Sequence, residues 1–198
     1  MFSKASVLSI VLVFIFTVSY GMGAYAIFKP YFIETPQVLG GRITFGLFES
    51  CVSTATTISC QTFPSKSCHD NNQFGGTNNG VNWTLCQTFL VSRWLAIASV
   101  GFGGVAWFGS LVMTIDAFRK STFTLTLSTL FFHALLQALV YILMMERRHD
   151  PIFNLGADFG VSMPLLVASF ILDSIVFLFM GLVHYLFAPT SYAYIPIP

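Results

Sequence analysis

Charged side chains are scarce in this sequence. Asp, Glu, Lys and Arg account for 9% of its 198 residues, 55% are hydrophobic, and the formal net charge is +1. So few charges cannot give a water-soluble globule of this size a polar surface, and the mean hydropathy of +0.76 agrees with that conclusion. A chain so close to neutrality has little attraction for a polyanion, so nucleic acid is not an expected partner. The composition predicts an integral membrane protein that contacts the lipid bilayer.

Motifs of catalysis and cofactor binding are also missing. The sequence contains no Ser-His-Asp spacing, no His-Glu-x-x-His, no phosphate-binding glycine loop and no paired carboxylates at a membrane face. We therefore expect neither enzymatic activity nor a cofactor. Only four cysteines are present, and their spacing fits no Cys-x-x-Cys zinc pattern. A metal site formed by these cysteines and His69 is the weaker alternative to disulfide bonds.

The sequence does contain four long apolar runs. They cover residues 6–28, 94–115, 123–145 and 161–187. Each run can cross a bilayer as a helix, since about 20 helical residues span ~30 Å, and none alternates as the strands of a membrane barrel would. A cleaved signal sequence ending near Ala24-Tyr25-Ala26 is an alternative for the first run. That run is longer than the apolar core of a signal sequence, so a retained helix is favoured.

These runs divide the chain into the parts of a single tetraspan domain. Residues 29–93 form a first outer loop, residues 146–160 form a second one, and residues 188–198 form a cytoplasmic tail. Between Tyr31 and Phe63 the first loop is rich in β-branched and aromatic residues punctuated by glycine, which predicts a small antiparallel sheet. The predicted fold class is an all-α membrane protein, namely a four-transmembrane-helix bundle with a small disulfide-bonded extracellular antiparallel β-sheet in the first loop.

The first loop also indicates the orientation of the chain. It holds all four cysteines, Cys51, Cys60, Cys68 and Cys86, and the one glycosylation sequon, which begins at Asn82. Disulfide bonds and N-linked glycans form outside the cytosol, so both signals place this loop outside. The distribution of Lys and Arg favours the opposite orientation, but we give precedence to the cysteines and the sequon. Four cysteines permit three pairings, and their spacing does not decide among them.

A short motif in the first loop resembles that of a known family. Gly46-Leu47-Phe48 precedes Cys51, and eight residues separate Cys51 from Cys60. Arg93 stands just before the second apolar run. A Gly-Leu-Trp motif, two cysteines so spaced and such an arginine are typical of the claudin and peripheral-myelin-protein superfamily. The chain resembles a divergent member, since Phe48 stands where that family has tryptophan. Fungal eisosome-type proteins and the amastin surface proteins of trypanosomatids share this general plan.

The resemblance implies a disulfide pairing and a function. It implies a bond between Cys51 and Cys60, which leaves Cys68 and Cys86 for a second bridge. It also implies that Phe48 and its neighbours seat the sheet on lipid or on the helix ends. The implied function is adhesion, barrier formation or organisation of a plasma-membrane domain, through contacts of the first loop with other membrane proteins or with a second copy. An auxiliary subunit of a channel or transporter is the alternative from another class.

The last two apolar runs carry ionisable residues. His133 lies twelve residues before Met145 and Asp173 lies twelve residues after Val161, so in antiparallel helices both are expected ~18 Å below the outer surface, near the midplane. Gln137 lies one turn from His133 on the same face. A lone carboxylate is costly there, so we expect Asp173 to be protonated or paired with His133 or Gln137. The favoured hypothesis is an interhelical hydrogen bond that fixes helix register; a small ion- or proton-conducting unit is the alternative.

Overall fold

Four helices dominate the structure, which is a computed structural model. It describes residues 4–29, 31–38, 41–54, 56–63, 81–115, 120–147 and 158–187. They are α1 (Lys4–Phe28), α2 (Val81–Ile115), α3 (Lys120–Arg147) and α4 (Ser162–Phe187). Each contains a stretch long and apolar enough to cross a membrane. The prediction of four candidate membrane-spanning helices is confirmed.

The helices form a bundle in which α1 and α3 each pack on both α2 and α4. Its outer surface is apolar: Phe14, Phe108 and Leu178 are 68%, 65% and 67% exposed. Lipid chains solvate such side chains well, whereas a polar side chain facing lipid would lack hydrogen-bond partners. The bundle therefore has apolar residues outside and, as described below, a group of polar residues inside.

An antiparallel sheet covers one end of the bundle. We call this end of the bundle the sheet end and the opposite end the far end. The strands of the sheet are β1 (Ile33–Val38), β2 (Gly41–Phe45), β3 (Glu49–Ser53), β4 (Ile58–Thr62) and β5 (Asp158–Phe159), in the order β4-β3-β2-β1-β5. The predicted sheet in the first loop is confirmed for the first four strands. The fifth comes from the second loop, and two residues are too few to leave a strand pattern in a sequence.

Two apolar layers make up the hydrophobic core of the bundle. The sheet-end layer joins the sheet to the helices and includes Phe32, Leu47, Phe89, Met144 and Leu166. The far-end layer consists of buried residues from all four helices: Phe16, Ala106, Phe123, Leu130, Val176 and Met180. The polar residues described below lie between these two layers, in the middle of the bundle.

The start of α2 differs from the sequence prediction. The second membrane segment was expected to begin at Trp94, whereas the helix begins at Val81 and the apolar stretch within it at Cys86. The reason is that the first turns of α2 mix polar and apolar residues: Phe89 is buried in the sheet-end layer while Gln87 is exposed. A search for continuous apolar runs does not detect such turns. The sequon at Asn82 consequently begins within α2.

Candidate functional site

Arg93 joins α2 to the base of the sheet. Its Nε donates a hydrogen bond to the Leu47 carbonyl oxygen at 2.8 Å, and its Nη2 donates one to the Phe63 carbonyl oxygen at 2.5 Å. The guanidinium carbon also lies 5.2 Å from the centroid of the Phe48 ring. One planar cation thus satisfies two backbone carbonyls and covers an aromatic face, a combination that arginine provides and lysine does not.

The residues of the Gly46-Leu47-Phe48 motif form the other side of this contact. Leu47 is fully buried in the sheet-end layer. The Phe48 ring stacks on Phe28 at the end of α1, with centroids 5.4 Å apart and an interplanar angle of 25°. The motif therefore contacts both α1 and α2, and phenylalanine at position 48 makes an aromatic contact with a helix end.

The cysteines tie the sheet together. Cys51 of β3 and Cys60 of β4 are directly opposite each other in the strand register and form a disulfide bond. Cys86 in α2 is also disulfide-bonded. Its predicted partner, Cys68, lies outside the described residues.

The sulfur atoms of Cys51 and Cys60 lie within 4.8 Å of a Glu49 carboxylate oxygen. A sulfur that has formed a disulfide cannot act as a thiolate ligand, so this group is not a metal site in the oxidised protein.

The second loop is bound to the first through backbone hydrogen bonds. The Gly160 amide donates to the Phe32 carbonyl and the Ser162 amide donates to the Tyr31 carbonyl, both at 3.1 Å. Ser162 is the first residue of α4, and Tyr31 follows closely on the end of α1. The start of α4 is thereby fixed to the chain that leaves α1, so the sheet is attached to the bundle at this point as well as at Arg93.

We expect Arg93→Leu to lower the free energy of unfolding of the detergent-solubilised protein by about 2–3 kcal/mol. The carbonyls of Leu47 and Phe63 would lose their donor, and hydrogen bonds to a charged group contribute about 1.5–3 kcal/mol. Thermal unfolding followed by tryptophan fluorescence measures the change. Arg42→Leu is the matched control, since Arg42 pairs with Glu34 but its side chain is 58% exposed. A surface pair contributes little, and equal losses in both variants would contradict an anchoring role for Arg93.

A second candidate site lies midway along the bundle. We call it the core polar cluster, and its members, all at most 1% exposed and drawn from all four helices, are Ser19, Ser99, His133, Gln137, Ser169 and Asp173. The sequence predicted that His133, Gln137 and Asp173 would lie at the same depth, and the structure brings these three together. It adds three serines that were not predicted.

Asp173 and His133 form the centre of this cluster. Asp173 Oδ2 lies 3.2 Å from His133 Nε2, and Gln137 Nε2 lies 3.2 Å from the same ring nitrogen. The other ring nitrogen, Nδ1, lies 2.7 Å from the Ser99 carbonyl oxygen. Gln137 Nε2 also donates to Ser169 Oγ at 3.0 Å. Side-chain contacts thus connect α3 to α4, and the contact of His133 with the Ser99 carbonyl connects α3 to α2.

Two serines link α1 to α4 in a reciprocal arrangement. Ser19 Oγ donates to the Ser169 carbonyl and Ser169 Oγ donates to the Ser19 carbonyl, each at 2.9 Å. Such a close approach needs small neighbours. A Cβ atom on Gly23 would lie 2.6 Å from Ser169 Oγ, and one on Gly103 would lie 2.7 Å from the Tyr20 ring and 2.8 Å from the His133 ring. These glycines therefore leave room for the cluster.

The arrangement favours interhelical attachment. The apolar layers named above lie on both sides of the cluster. Buried hydroxyls of Thr129, Thr126 and Ser110 continue toward the far end, but each donates to a backbone carbonyl of its own helix. A relay of protons or ions needs a continuous set of polar groups or waters. What the cluster does provide is a set of directional bonds that hold four helices in one register.

No protein-family model and no curated protein matches this chain. Its class is therefore defined by its architecture, which combines four helices able to span a membrane with a disulfide-bonded antiparallel sheet at one end.

Proposed function

We propose that the protein acts by contact with other membrane proteins, in adhesion, barrier formation or organisation of a plasma-membrane domain, with its sheet facing outside. The resemblance of its first loop to that of the claudin superfamily supports this function. The structural observation behind this proposal is the exposure of strand β4. This strand lies at the edge of the sheet, and all five of its residues are exposed.

An exposed edge strand is a binding surface. Its outward backbone N–H and C=O groups can pair with a strand of another chain, while its side chains select the partner. No described residue pairs with the outer edge of β4, and Ile58 in this strand is 74% exposed. Soluble proteins usually protect such an edge with lysine or proline, and β4 contains neither.

The sheet is held rigidly enough to serve as such a surface. The disulfide bond between Cys51 and Cys60 fixes β4 to β3, and Arg93 binds the backbone of Phe63, which directly follows β4. A preformed strand loses less conformational entropy on pairing than a flexible loop would. These attachments support a role for β4 in contacts with a second copy of the chain.

Mixing two populations of cells that express differently labelled copies tests this function. We expect the wild-type protein to be enriched where cells of the two populations touch, and Ile58→Lys to abolish the enrichment because lysine at an edge opposes strand pairing. Val52→Lys is the matched control. Val52 is 39% exposed but lies on β3, between β4 and β2.

Two outcomes would contradict the proposal. Undiminished enrichment of Ile58→Lys would show that β4 is not the contact surface. Absence of self-association between cells and within one membrane, together with co-purification of one large polytopic protein, would favour the auxiliary-subunit alternative.

A further inference from the structure

A cavity lies in the far-end half of the bundle. It encloses about 50 Å³, is partly open, and is lined by residues of all four helices. Of the helix pairs, α2 with α3 and α1 with α4 are the most extensively packed. The cavity therefore lies where these two helix pairs meet, and we call it the far-end cavity.

The far-end cavity extends through most of one half of the membrane. Met113, Phe123 and Val183 line it and lie at, or one residue from, the far-end limits of the apolar stretches of α2, α3 and α4. Leu130 and Val176 line its inner part, about 10–12 Å from those limits along the helices. The hydrocarbon of one leaflet is about 15 Å thick, which is half of the ~30 Å core. The lining thus follows the direction of a lipid chain, from near the membrane surface toward the midplane.

The polar atoms in the lining already have partners. Ser110 Oγ donates a hydrogen bond to the Trp107 carbonyl at 2.7 Å, and Thr126 Oγ donates one to the Thr122 carbonyl at 2.8 Å. The other residues that line the cavity are apolar. A buried water needs about two to four polar partners, so the far-end cavity is a poor site for water and for polar solutes.

Phe16 separates the far-end cavity from the core polar cluster. It lines the cavity and is 2% exposed, and its ring centroid lies 6.2 Å from that of His133. A ligand in the cavity therefore meets an aromatic ring at the inner end rather than the polar groups of the cluster.

The size and the surroundings of the cavity favour a hydrocarbon chain. At about 10–15 Å³ for each water-sized group, the enclosed space holds about four methylene groups. The fused rings of a sterol are too large for it, whereas an acyl chain can place its last carbons there. An empty cavity forfeits van der Waals contacts, and in a bilayer the groups available at this depth to supply them are lipid chains.

We propose that the far-end cavity binds the terminal part of one acyl chain of a phospholipid from the far-end leaflet. The chain enters between the α1–α4 pair and the α2–α3 pair. Its methyl end lies near Leu130 and Val176, and carbons closer to the glycerol pass Met113 and Val183. The rest of the lipid lies along the outer surface of the bundle.

Phospholipids that form a carbene on illumination test this proposal with the full-length protein in lipid nanodiscs. The probe is a phosphatidylcholine with a diazirine at the methyl end of one acyl chain or near its glycerol, and mass spectrometry of peptides identifies the labelled residues. We expect the methyl-end probe to label Leu130 and the other probe to label Met113. Leu178, which is 67% exposed, reports general contact with lipid in the same sample. Labelling of Leu178 without labelling of the lining, or the reverse order of depth along the lining, would contradict the proposal.

Variants that fill the cavity provide the control. Val176→Phe places a larger side chain in the cavity, so we expect it to abolish the labelling of Leu130 and to leave that of Leu178. Val11→Phe makes the same substitution at a 47% exposed position of α1 and should leave both labels. Val183→Phe, at the half-buried rim, replaces Val176→Phe if that variant does not fold. Unchanged labelling of Leu130 in a folded, filled variant would overturn the proposal.

A photoreactive sterol distinguishes the two kinds of membrane lipid. With a diazirine on its ring system, this probe is expected to label the exposed Leu178 but not Leu130. Labelling of Leu130 by the sterol and not by the phospholipid would overturn the proposal.

Discussion

Gly160→Ala is expected to destabilise the protein by about 2–3 kcal/mol, at the upper end of what overpacking costs. A Cβ atom on Gly160 would overlap the carbonyl oxygen of Tyr31 and lie 2.7 Å from the carbonyl carbon. Both atoms belong to the backbone, so neither can move as a flexible side chain would. The Gly160 amide would separate from the Phe32 carbonyl, and β5 would lose its contact with β1. Thermal unfolding of the detergent-solubilised protein measures the loss.

Gly41→Ala is the matched control in the same sheet. The nearest atom to a Cβ on Gly41 is the Ser53 carbonyl oxygen, at 3.4 Å, which is an ordinary contact distance. We expect little change in the unfolding midpoint of this variant. If Gly160→Ala unfolded at the same temperature as Gly41→Ala, that result would contradict the close contact between Gly160 and the backbone of Tyr31.

Gly23→Ala is expected to lower the free energy of unfolding by about 1–3 kcal/mol. The added methyl group would lie 2.5 Å from Gln137 Nε2 and 2.6 Å from Ser169 Oγ. Gln137 could withdraw, but only by giving up its hydrogen bonds to Ser169 and His133. Buried polar groups without partners are costly within a membrane-spanning bundle, so the disturbance would extend beyond one contact. Denaturation in mixed detergent micelles measures the effect.

The same helix provides the control for this prediction. Gly21 is exposed on α1, and a Cβ atom there would have no neighbour within 4 Å. Alanine favours a helix more than glycine does, so Gly21→Ala should be neutral or slightly stabilising. A loss in Gly21→Ala equal to that in Gly23→Ala would show that the effect comes from α1 itself and not from its contact with the cluster.

The sequence predicted those features of the fold that depend on composition along the chain. Long apolar runs located the four helices, and residues that favour strands located the stretch, Tyr31 to Phe63, that contains four of the five strands. The start of α2 and the strand β5 were missed because both depend on tertiary contacts: Phe89 is buried against the sheet, and Asp158 pairs with Glu34 across the ladder. Neither contact leaves a continuous apolar run in the sequence.

The candidate sites were predictable to a similar extent. Counting residues from the membrane surface was enough to place His133 and Asp173 at one depth, because the helical rise is constant. The serines were missed because serine is common in apolar helices, and only the packing of α1 on α4 shows that Ser19 and Ser169 exchange hydrogen bonds. The role of Gly23 likewise becomes visible only when the neighbouring helix is present.

The distribution of the core polar cluster over all four helices also has a consequence for biosynthesis. A ribosome delivers α3 to the membrane before α4, so a nascent chain that has not reached Ser169 presents His133 and Gln137 without two of their partners. Polar groups in that state are unfavourable in lipid. The last helix therefore completes the chemistry of the bundle as well as its shape. A chain interrupted before α4 would carry exposed polar residues in the bilayer, by which a cell could distinguish an unfinished copy from a finished one.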